Sequence, residues 1–310
     1  MTPRIISKKT HRSQFAVYDE RGRKIKLAKR GKKLSRSVAG TVALFLFIGI
    51  FAVFMGMPMV LTISNALKPL DELFYFPPRF FVRNPTFSNF SDLFMSLQQT
   101  WVPFARYLLN SFIITGFGTV GHLIFASAAA YPLAKNKFPG SRILMSIVIL
   151  SLMFSPVVTG IPNFLIITQL RMVDTYWALI LPAFSASLGL YLMKQFMEQV
   201  PDSLIESARI DGCSEFSIWW NIVMPNVKPA WLTLIILQFQ ALWATTGGVF
   251  LQSEELKPLT FAMNQVALGG IARAGEGAAV MFITMMVPVT FFVISQSRIV
   301  ETMATSGMKE

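Results

Sequence analysis

The sequence contains few charged side chains and a single cysteine, and each shortage excludes a class of protein. Only 14% of its 310 residues are charged, while 53% are hydrophobic and the mean hydropathy is +0.53. Soluble proteins contain roughly 25% charged residues. Several apolar runs approach the length of about 20 residues that crosses a bilayer as a helix. We therefore expect an all-α polytopic membrane protein, and the lone Cys213 excludes an intrachain disulfide framework.

Catalytic, metal-binding and ion-coupling patterns are missing as well. The sequence shows no nucleophile–histidine–acid set and no Cys/His metal spacing, and the glycine-rich residues 269–277 lack the strand and helix of a phosphate-binding loop. The apolar runs lack the mid-span acids typical of ion-coupled carriers, and His122 is expected to be a packing residue. We predict neither an enzyme nor a metal site, so any energy must come from another chain.

The formal net charge of +12 is concentrated in one tail. Residues 1–37 contain thirteen Lys or Arg and only two acids. A basic tail before the first apolar run predicts a cytoplasmic N-terminus that contacts anionic lipid. The tail has no interleaved aromatic stacking platform, so we expect no nucleic-acid partner. Its polar part and the apolar run after it are both too long for a cleavable signal peptide.

Six apolar runs predict six transmembrane helices. The predicted spans are residues 38–63, 107–133, 143–169, 176–196, 230–246 and 278–297. The small residues of the second span, among them Gly116, Gly118 and Gly121, predict that it packs closely against other helices. The link 134–142 carries three bases and no acid, which places it in the cytoplasm together with both termini. The predicted domains are a basic cytoplasmic tail at 1–37, a six-helix membrane domain at 38–300 and a cytoplasmic tail at 301–310. Charge, span count and span length agree on this topology.

A polar segment at residues 198–229 is the only long mixed-charge stretch between apolar runs. Pro201 followed by Asp202 and Ser203 predicts a helix start, with Asp202 or Ser203 as the N-cap. Gly212 then predicts a break or a close backbone approach, and an amphipathic piece follows it. We predict two short helices joined at a glycine on the cytoplasmic membrane surface.

The polar segment contains a spaced motif. Residues 206–225 read E-S-A-x3-G, then nine residues, then I-x-M-P. This resembles the EAA motif of binding-protein-dependent ABC transporter permeases, E-A-A-x3-G-x9-I-x-L-P, and we call residues 198–229 the EAA segment. The coupling positions in this sequence are Glu206, Ser207, Ala208, Asp211, Gly212, Ile222, Met224 and Pro225. Residues 106–140, with their A-Y-P-L-A-K run, are similar to the opening of the membrane domain of maltose-type carbohydrate permeases.

The resemblance implies a type I ABC importer permease fold of the smaller, maltose-G-like kind, in the bacterial plasma membrane. It implies a second homologous permease subunit in a heterodimer, a cytoplasmic ABC ATPase dimer and an extracellular solute-binding protein. This chain is expected to bind no cofactor, with ATP and Mg used by the partner ATPase. In such importers the two short helices dock in a cleft of the ATPase, and its closure on ATP rocks the spans between inward- and outward-open states.

The resemblance also assigns roles within the EAA segment. Glu206 is expected to face a basic residue of the ATPase. Gly212 allows the sharp turn, and Ile222 with neighbouring apolar residues fills the cleft.

The substrate is indicated less directly. Carbohydrate pores of this family offer aromatic faces and hydrogen-bonding side chains, for which the candidates are Tyr191, Gln238, Gln240 and Trp243. Residues 247–277 resemble the external loop that probes the sugar site of the binding protein, and residues 296–309 resemble permeases of Gram-positive oligosaccharide systems. We expect oligosaccharides from glycan breakdown as substrate. The alternatives are a permease for a polyamine or glycerol phosphate, and an ion-coupled carrier or membrane enzyme.

Overall fold

Helices form nearly all of the regular structure, because an apolar chain in lipid must pair its backbone groups within itself. The computed structural model describes residues 17–18, 24–25, 38–98 and 101–306. In chain order the α-helices are α1 (Val38–Leu67), α2 (Leu70–Leu73), α3 (Ser88–Gln98), α4 (Phe104–Lys135), α5 (Ser141–Leu152), α6 (Pro156–Gln169), α7 (Trp177–Phe184), α8 (Ser187–Glu198), α9 (Asp202–Ile210), α10 (Glu215–Ser217), α11 (Met224–Asn226), α12 (Lys228–Trp243), α13 (Leu259–Ala267) and α14 (Ala274–Ser306). A π-helical stretch (Ile218–Val223) joins α10 to α11, and 3-10 turns lie at Glu254–Leu256 and Ile271–Arg273.

The chain divides into two units, residues 1–58 and residues 59–310. In the first unit the strands β1 (Val17–Tyr18) and β2 (Lys24–Ile25) pair antiparallel, with Val17 opposite Ile25. The rest of the predicted basic tail lies outside the described residues. The first predicted span is helical throughout, and α1 continues four residues beyond its predicted end at residue 63. Its 30 residues extend about 45 Å, enough to cross a hydrocarbon core of about 30 Å.

Four helical stretches are long and apolar enough to cross a membrane. They are Ala39–Leu67, Phe104–Lys135, Trp177–Glu198 and Ile271–Gln296. Two further stretches qualify only as bent pairs, α5 with α6 (113°) and residues 215–226 with α12 (84°). The bend before α6 follows from its sequence, since Pro156 is the first helical residue and the Ser155 hydroxyl accepts a hydrogen bond from the Val157 N–H. The structure thus supports four to six spans, and six remains a prediction.

Helix α4 lies in the middle of the second unit and packs against α7, α8 and α12. Small residues permit this, as predicted. A Cβ on Gly118 would lie 2.4 Å from the Leu242 side chain, and one on Gly121 would lie 2.0 Å from the Phe184 ring. On the facing helix α8, a Cβ on Gly189 would lie 2.1 Å from the His122 imidazole. These helices therefore approach each other more closely than larger side chains would allow.

Two hydrophobic clusters lie along α4. The first, which we call the Met193 cluster, includes Ala126, Ala130, Met193, Met197, Ile205, Ala208, Ile218, Trp219, Val223 and Leu234. The second, the Tyr107 cluster, includes Leu93, Leu97, Tyr107, Trp243, Leu259, Met263, Ala279 and Val280. The Met193 cluster joins the C-terminal half of α4 to the EAA segment, whereas the Tyr107 cluster joins its first turn to α3, α13 and α14. Helix α4 connects both.

Candidate functional site

The EAA segment folds as two helical pieces joined at a glycine, which confirms the prediction. Helix α9 ends at Ile210, and the second piece begins at Glu215, where the Ser214 hydroxyl accepts the Ser217 N–H at 3.3 Å. Gly212 between them has a φ of +81°. This left-handed conformation suits glycine because a Cβ would crowd the following carbonyl oxygen. The glycine of the motif thus sets the angle between the two pieces.

The predicted N-cap of α9 is wrong. Asp202 is already the first helical residue, and Pro201, which precedes it, contributes no side-chain cap. The Asp202 carboxylate instead accepts a hydrogen bond from Lys135 Nζ at 2.7 Å. That hydrogen bond and the positive charge of Lys135 hold the pKa of Asp202 below its usual range. The tertiary contact with Lys135 therefore replaces the N-cap hydrogen bond that local sequence predicted for Asp202.

Lys135, the last residue of α4, anchors the beginning of the EAA segment. Its side chain is only 4% exposed. Besides the Asp202 carboxylate, its Nζ donates to the carbonyl oxygens of Val200 and, at 3.4 Å, of Glu198. A single buried cation therefore ties the end of one apolar helix to three residues at the start of the segment.

A second set of contacts anchors the turn around Gly212. Glu215 accepts the Tyr131 hydroxyl on Oε2 and Arg209 Nε on Oε1, both at 2.7 Å. Arg209 Nη2 also donates to the Asn136 side chain at 3.4 Å. Because Arg209 lies in α9 and Glu215 in α10, their ion pair closes the turn, and Tyr131 fastens it to α4.

Two motif positions, Ala208 and Met224, face the protein interior. Both are buried in the Met193 cluster. The Met224 carbonyl oxygen also accepts a hydrogen bond from Trp231 Nε1 at 3.1 Å. The small residue and the apolar residue of the motif therefore pack the segment onto the helices.

Five further motif positions, Glu206, Ser207, Asp211, Gly212 and Pro225, are exposed. Within the described part of the chain, the carboxylates of Glu206 and Asp211 have no hydrogen-bond or ion-pair partner, whereas the Ser207 hydroxyl donates to the Ser203 carbonyl oxygen of its own helix. The segment thus presents two unpaired acids outward.

Ile222 is not the most exposed apolar side chain of the segment. It is half-buried and packs against the Met193 cluster. The exposed apolar side chains are Leu204 (43%), Ile210 (86%), Phe216 (70%) and Trp220 (51%). We call these four residues, with Glu206 and Asp211, the docking face. Large apolar side chains that are exposed on a polar segment are typical of a protein interaction site.

Residues 247–277, predicted as a loop, contain a buried helix. Leu259, Ala262, Met263 and Val266 of α13 lie inside the Tyr107 cluster. The turn before α13 is tied to the first turns of α4. The Tyr107 hydroxyl donates to Glu254 Oε1 at 2.7 Å, and Asn110 Nδ2 donates to two backbone carbonyl oxygens of the turn, both at 2.8 Å.

Asp174 fastens the same turn from the other side. Its carboxylate accepts the backbone N–H groups of Gln252 at 2.9 Å and Ser253 at 2.7 Å, together with the Ser253 hydroxyl. The hydrogen bonds from Ser253 hold the pKa of Asp174 below its usual range.

The predicted substrate residues differ in burial. Tyr191 on α8 and Gln238 and Gln240 on α12 are half-buried. Trp243 is only 3% exposed and stacks on Phe239 with ring centroids 5.9 Å apart. In this structure Trp243 is a core residue rather than a free aromatic face.

A cavity of about 610 Å³ lies elsewhere, between α4, α5, α6, α7 and α8. Its wall is mainly apolar, with Asn163, Ser185 and Ser187 as polar members, and none of the four predicted substrate residues lines it.

The side chains that hold the EAA segment in place were not predicted from sequence. Tyr131 and Lys135 both belong to the A-Y-P-L-A-K run, which was interpreted only as a family resemblance. The bases of the link after it were interpreted only as an indication of its side of the membrane. The spacing of four residues between Tyr131 and Lys135 puts both side chains on one face of α4. This four-residue spacing of polar side chains at the end of an apolar run is visible in the sequence.

Comparison with known proteins identifies one family. The family described as "Binding-protein-dependent transport system inner membrane component" matches residues 122–303. Protein LplC of Bacillus subtilis is 36% identical over 53% of this chain, which corresponds to about half (56%) of that relative's length. The polygalacturonan/rhamnogalacturonan transport system permease protein YtcP of Bacillus subtilis is 29% identical over 75% of this chain and 82% of its own.

Another relative and one solved structure extend the comparison. The sn-glycerol-3-phosphate transport system permease protein UgpE of Pectobacterium atrosepticum is 28% identical over 81% of this chain and 90% of its own. The crystal structure of a bacterial ABC transporter involved in the import of the acidic polysaccharide alginate superposes with a TM-score of 0.71, at 21% identity, over 84% of this chain and 98% of that one. That likeness establishes the fold.

Proposed function

Because this chain belongs to the family of binding-protein-dependent transport system inner membrane components, we propose that it is one of two homologous permease subunits in an ATP-driven oligosaccharide importer. The family and the apolar helices make it a multi-pass plasma-membrane protein. In the proposed topology six spans leave both termini, the link 134–142 and the EAA segment in the cytoplasm, with tails at 1–37 and 301–310. The basic composition of the first tail and of the link supports this orientation.

The docking face is the observation that carries the proposed coupling. It presents exposed Leu204, Ile210, Phe216 and Trp220 beside the unpaired acids Glu206 and Asp211, on the segment that bears the EAA motif. We assign to it a cytoplasmic ABC ATPase dimer, which supplies ATP hydrolysis with Mg. The apolar side chains fill a cleft of the ATPase, and the acids meet its basic residues. Hydrolysis in the partner then moves this segment, and an extracellular binding protein delivers the substrate.

The proposed substrate is an oligosaccharide from plant or microbial glycan. Support comes from YtcP, whose name assigns it polygalacturonan and rhamnogalacturonan, and from the fold shared with the alginate transporter. Tyr191, Gln238 and Gln240 keep their proposed place on the substrate path, because each is partly accessible and can bind a sugar through hydrogen bonds or ring stacking. Trp243, the last residue of α12, is covered by Phe239 and Phe112 and is not proposed to contact the sugar.

The test combines co-purification with uptake. Phe216→Ser and Glu206→Lys change exposed side chains of the docking face. Phe216→Ser also removes a ring contact with the buried Trp219, at 5.3 Å between centroids, whereas Glu206 has no side-chain partner among the described residues. In Glu206→Lys the membrane domain should therefore fold normally, and in both variants ATPase co-purification and sugar uptake should fall together. Phe87→Ser is the matched control, because Phe87 is equally exposed (75%) but lies outside the EAA segment. Normal assembly and transport in both docking-face variants would exclude the proposed coupling.

Glycerol phosphate is the second candidate, favoured by the long alignment with UgpE. The two substrates are distinguished by uptake of labelled oligogalacturonide and labelled glycerol 3-phosphate in cells that express the complete transporter. Saturable uptake of glycerol 3-phosphate alone would overturn the sugar assignment but leave the permease function intact.

A further inference from the structure

A concave surface opens beside the end of α4, next to the start of the EAA segment. Its wall runs through residues 133–143, which link α4 to α5, and is completed by Asp202. The space it encloses is about 630 Å³. This pocket is separate from the docking face, since none of the docking-face residues lines it.

The charge of this pocket is positive and only partly compensated. Three cations line it, Lys135, Lys137 and Arg142, against a single acid, Asp202. Lys135 and Asp202 are paired at 2.7 Å. The side chains of Lys137 and Arg142 are exposed and make no ion pair within the described residues. Two cations are therefore available to an anionic ligand.

An apolar surface continues directly from the pocket. Ile143 lines it and is 67% exposed, and Ile147 (57%) and Leu150 (54%) follow at helical spacing on the same face of α5. Helix α5 has no buried residue in this chain. A ligand with an anionic head and a hydrocarbon chain matches both parts, with the head at the cations and the chain along α5.

We propose that this pocket binds the phosphate group of an anionic phospholipid, with the phosphate between Lys137 and Arg142 and an acyl chain along Ile143, Ile147 and Leu150. Basic pockets at the cytoplasmic ends of membrane helices attract acidic lipid headgroups. The side of the membrane rests on the proposed function, which places the link 134–142 in the cytoplasm. Because the pocket shares Lys135 and Asp202 with the anchor of the EAA segment, the bound lipid lies beside that anchor.

The experiment is native mass spectrometry of the complete transporter, purified in a mild detergent and supplied with phosphatidylglycerol or phosphatidylcholine. Each cation near an anionic lipid strengthens binding by about fivefold, so Lys137→Gln combined with Arg142→Gln should weaken phosphatidylglycerol binding by about 30-fold. Lys228→Gln is the control, because it removes a cation outside the pocket, at the start of α12 on the same side of the membrane. It should leave binding unchanged.

Several results would overturn this proposal. Equal retention of the two lipids by the wild type would show that the anionic headgroup is not recognised. An equal loss of binding in the Lys228→Gln control would reduce the effect to general surface charge. Displacement of phosphatidylglycerol by millimolar inorganic phosphate would exclude the acyl contact with α5. Loss of the ATPase from the double variant with unchanged lipid binding would assign the pocket to a protein partner. Intact lipid binding by a chain that recruits no ATPase would refute the proposed function alone.

Discussion

Replacing Lys135 with Met should uncouple the EAA segment from the membrane helices while leaving the docking face intact. The methionine keeps most of the apolar stem of the lysine side chain, which is only 4% exposed. It removes the Nζ that binds Asp202 and the carbonyl oxygens of Val200 and Glu198. The change therefore acts on the anchor and on none of the docking-face residues.

The size of the effect depends on which contact of Lys135 is counted. The Asp202 carboxylate is 77% exposed, and an ion pair to so exposed a partner contributes little. The hydrogen bond from the buried ammonium group to the Val200 carbonyl oxygen is charge-assisted and stabilises by about 2 kcal/mol. A loss of that size raises the detached population of the segment by about 30-fold. Asp202→Asn should consequently have a much smaller effect than Lys135→Met, and Lys135→Arg should retain part of the coupling.

The assay is ATP hydrolysis by the complete transporter in proteoliposomes, with and without the sugar-loaded binding protein. In Lys135→Met we expect the ATPase to co-purify normally and the stimulation by binding protein to fall, by at most about 30-fold. Wild-type stimulation would show that the contacts of Lys135 carry no coupling. A parallel loss of the ATPase itself would show that they maintain the docking face instead.

Three further substitutions test other parts of the structure. Gly212→Ala meets no neighbouring atom within 4 Å but strains a φ of +81°, so it should destabilise the turn by about 1–2 kcal/mol and weaken ATPase co-purification, whereas Gly212→Asn should be tolerated better. Gly189→Leu collides with His122 and should lower the stability in a detergent melting assay by about 3 kcal/mol or more, while Gly116→Leu, with open space around it, should change it little. Asp174→Asn should loosen the turn before α13 in hydrogen exchange. Because the folded-state pKa of Asp174 is lowered, the wild-type advantage is fully present above the unfolded pKa of about 3.9 and disappears as the pH falls through the lower folded-state pKa. An advantage that was larger below pH 3.9 than at pH 7 would contradict this assignment.

Local sequence was sufficient where one residue type or one spacing determines the conformation. Gly212 was predicted at the joint between two helices and occupies a left-handed conformation there. The small residues of α4 were predicted to permit close packing, and Gly118 and Gly121 face bulky side chains of neighbouring helices. In both cases the physical requirement, the absence of a Cβ, is a property of the residue itself.

Local sequence failed where a partner distant in the chain decides the role of a side chain. Asp202 has the character of a helix cap, but its partner Lys135 lies 67 residues earlier. Trp243 is close in sequence to two glutamines and was predicted to offer an aromatic face to a sugar, but its ring packs against Phe239 and Phe112. Residues 247–277 were identified as a loop by resemblance, although Leu259 to Val266 include a buried helix face. Each error concerns contacts with residues distant in the chain, which single-sequence patterns do not specify.

Helix α4 determines how a movement of the EAA segment can spread through the molecule. Its 32 residues extend about 48 Å. The segment is fastened to its last turns through Tyr131 and Lys135, and the turn before α13 is fastened to its first turns through Tyr107 and Asn110. Close contacts at the α4 glycines make sliding of α4 past α7 and α12 costly, because a packed interface resists continuous deformation. A pull on the EAA segment must therefore break the contacts of Tyr131 and Lys135, or move α4 and its neighbours as one body and carry the turn at the opposite end with them.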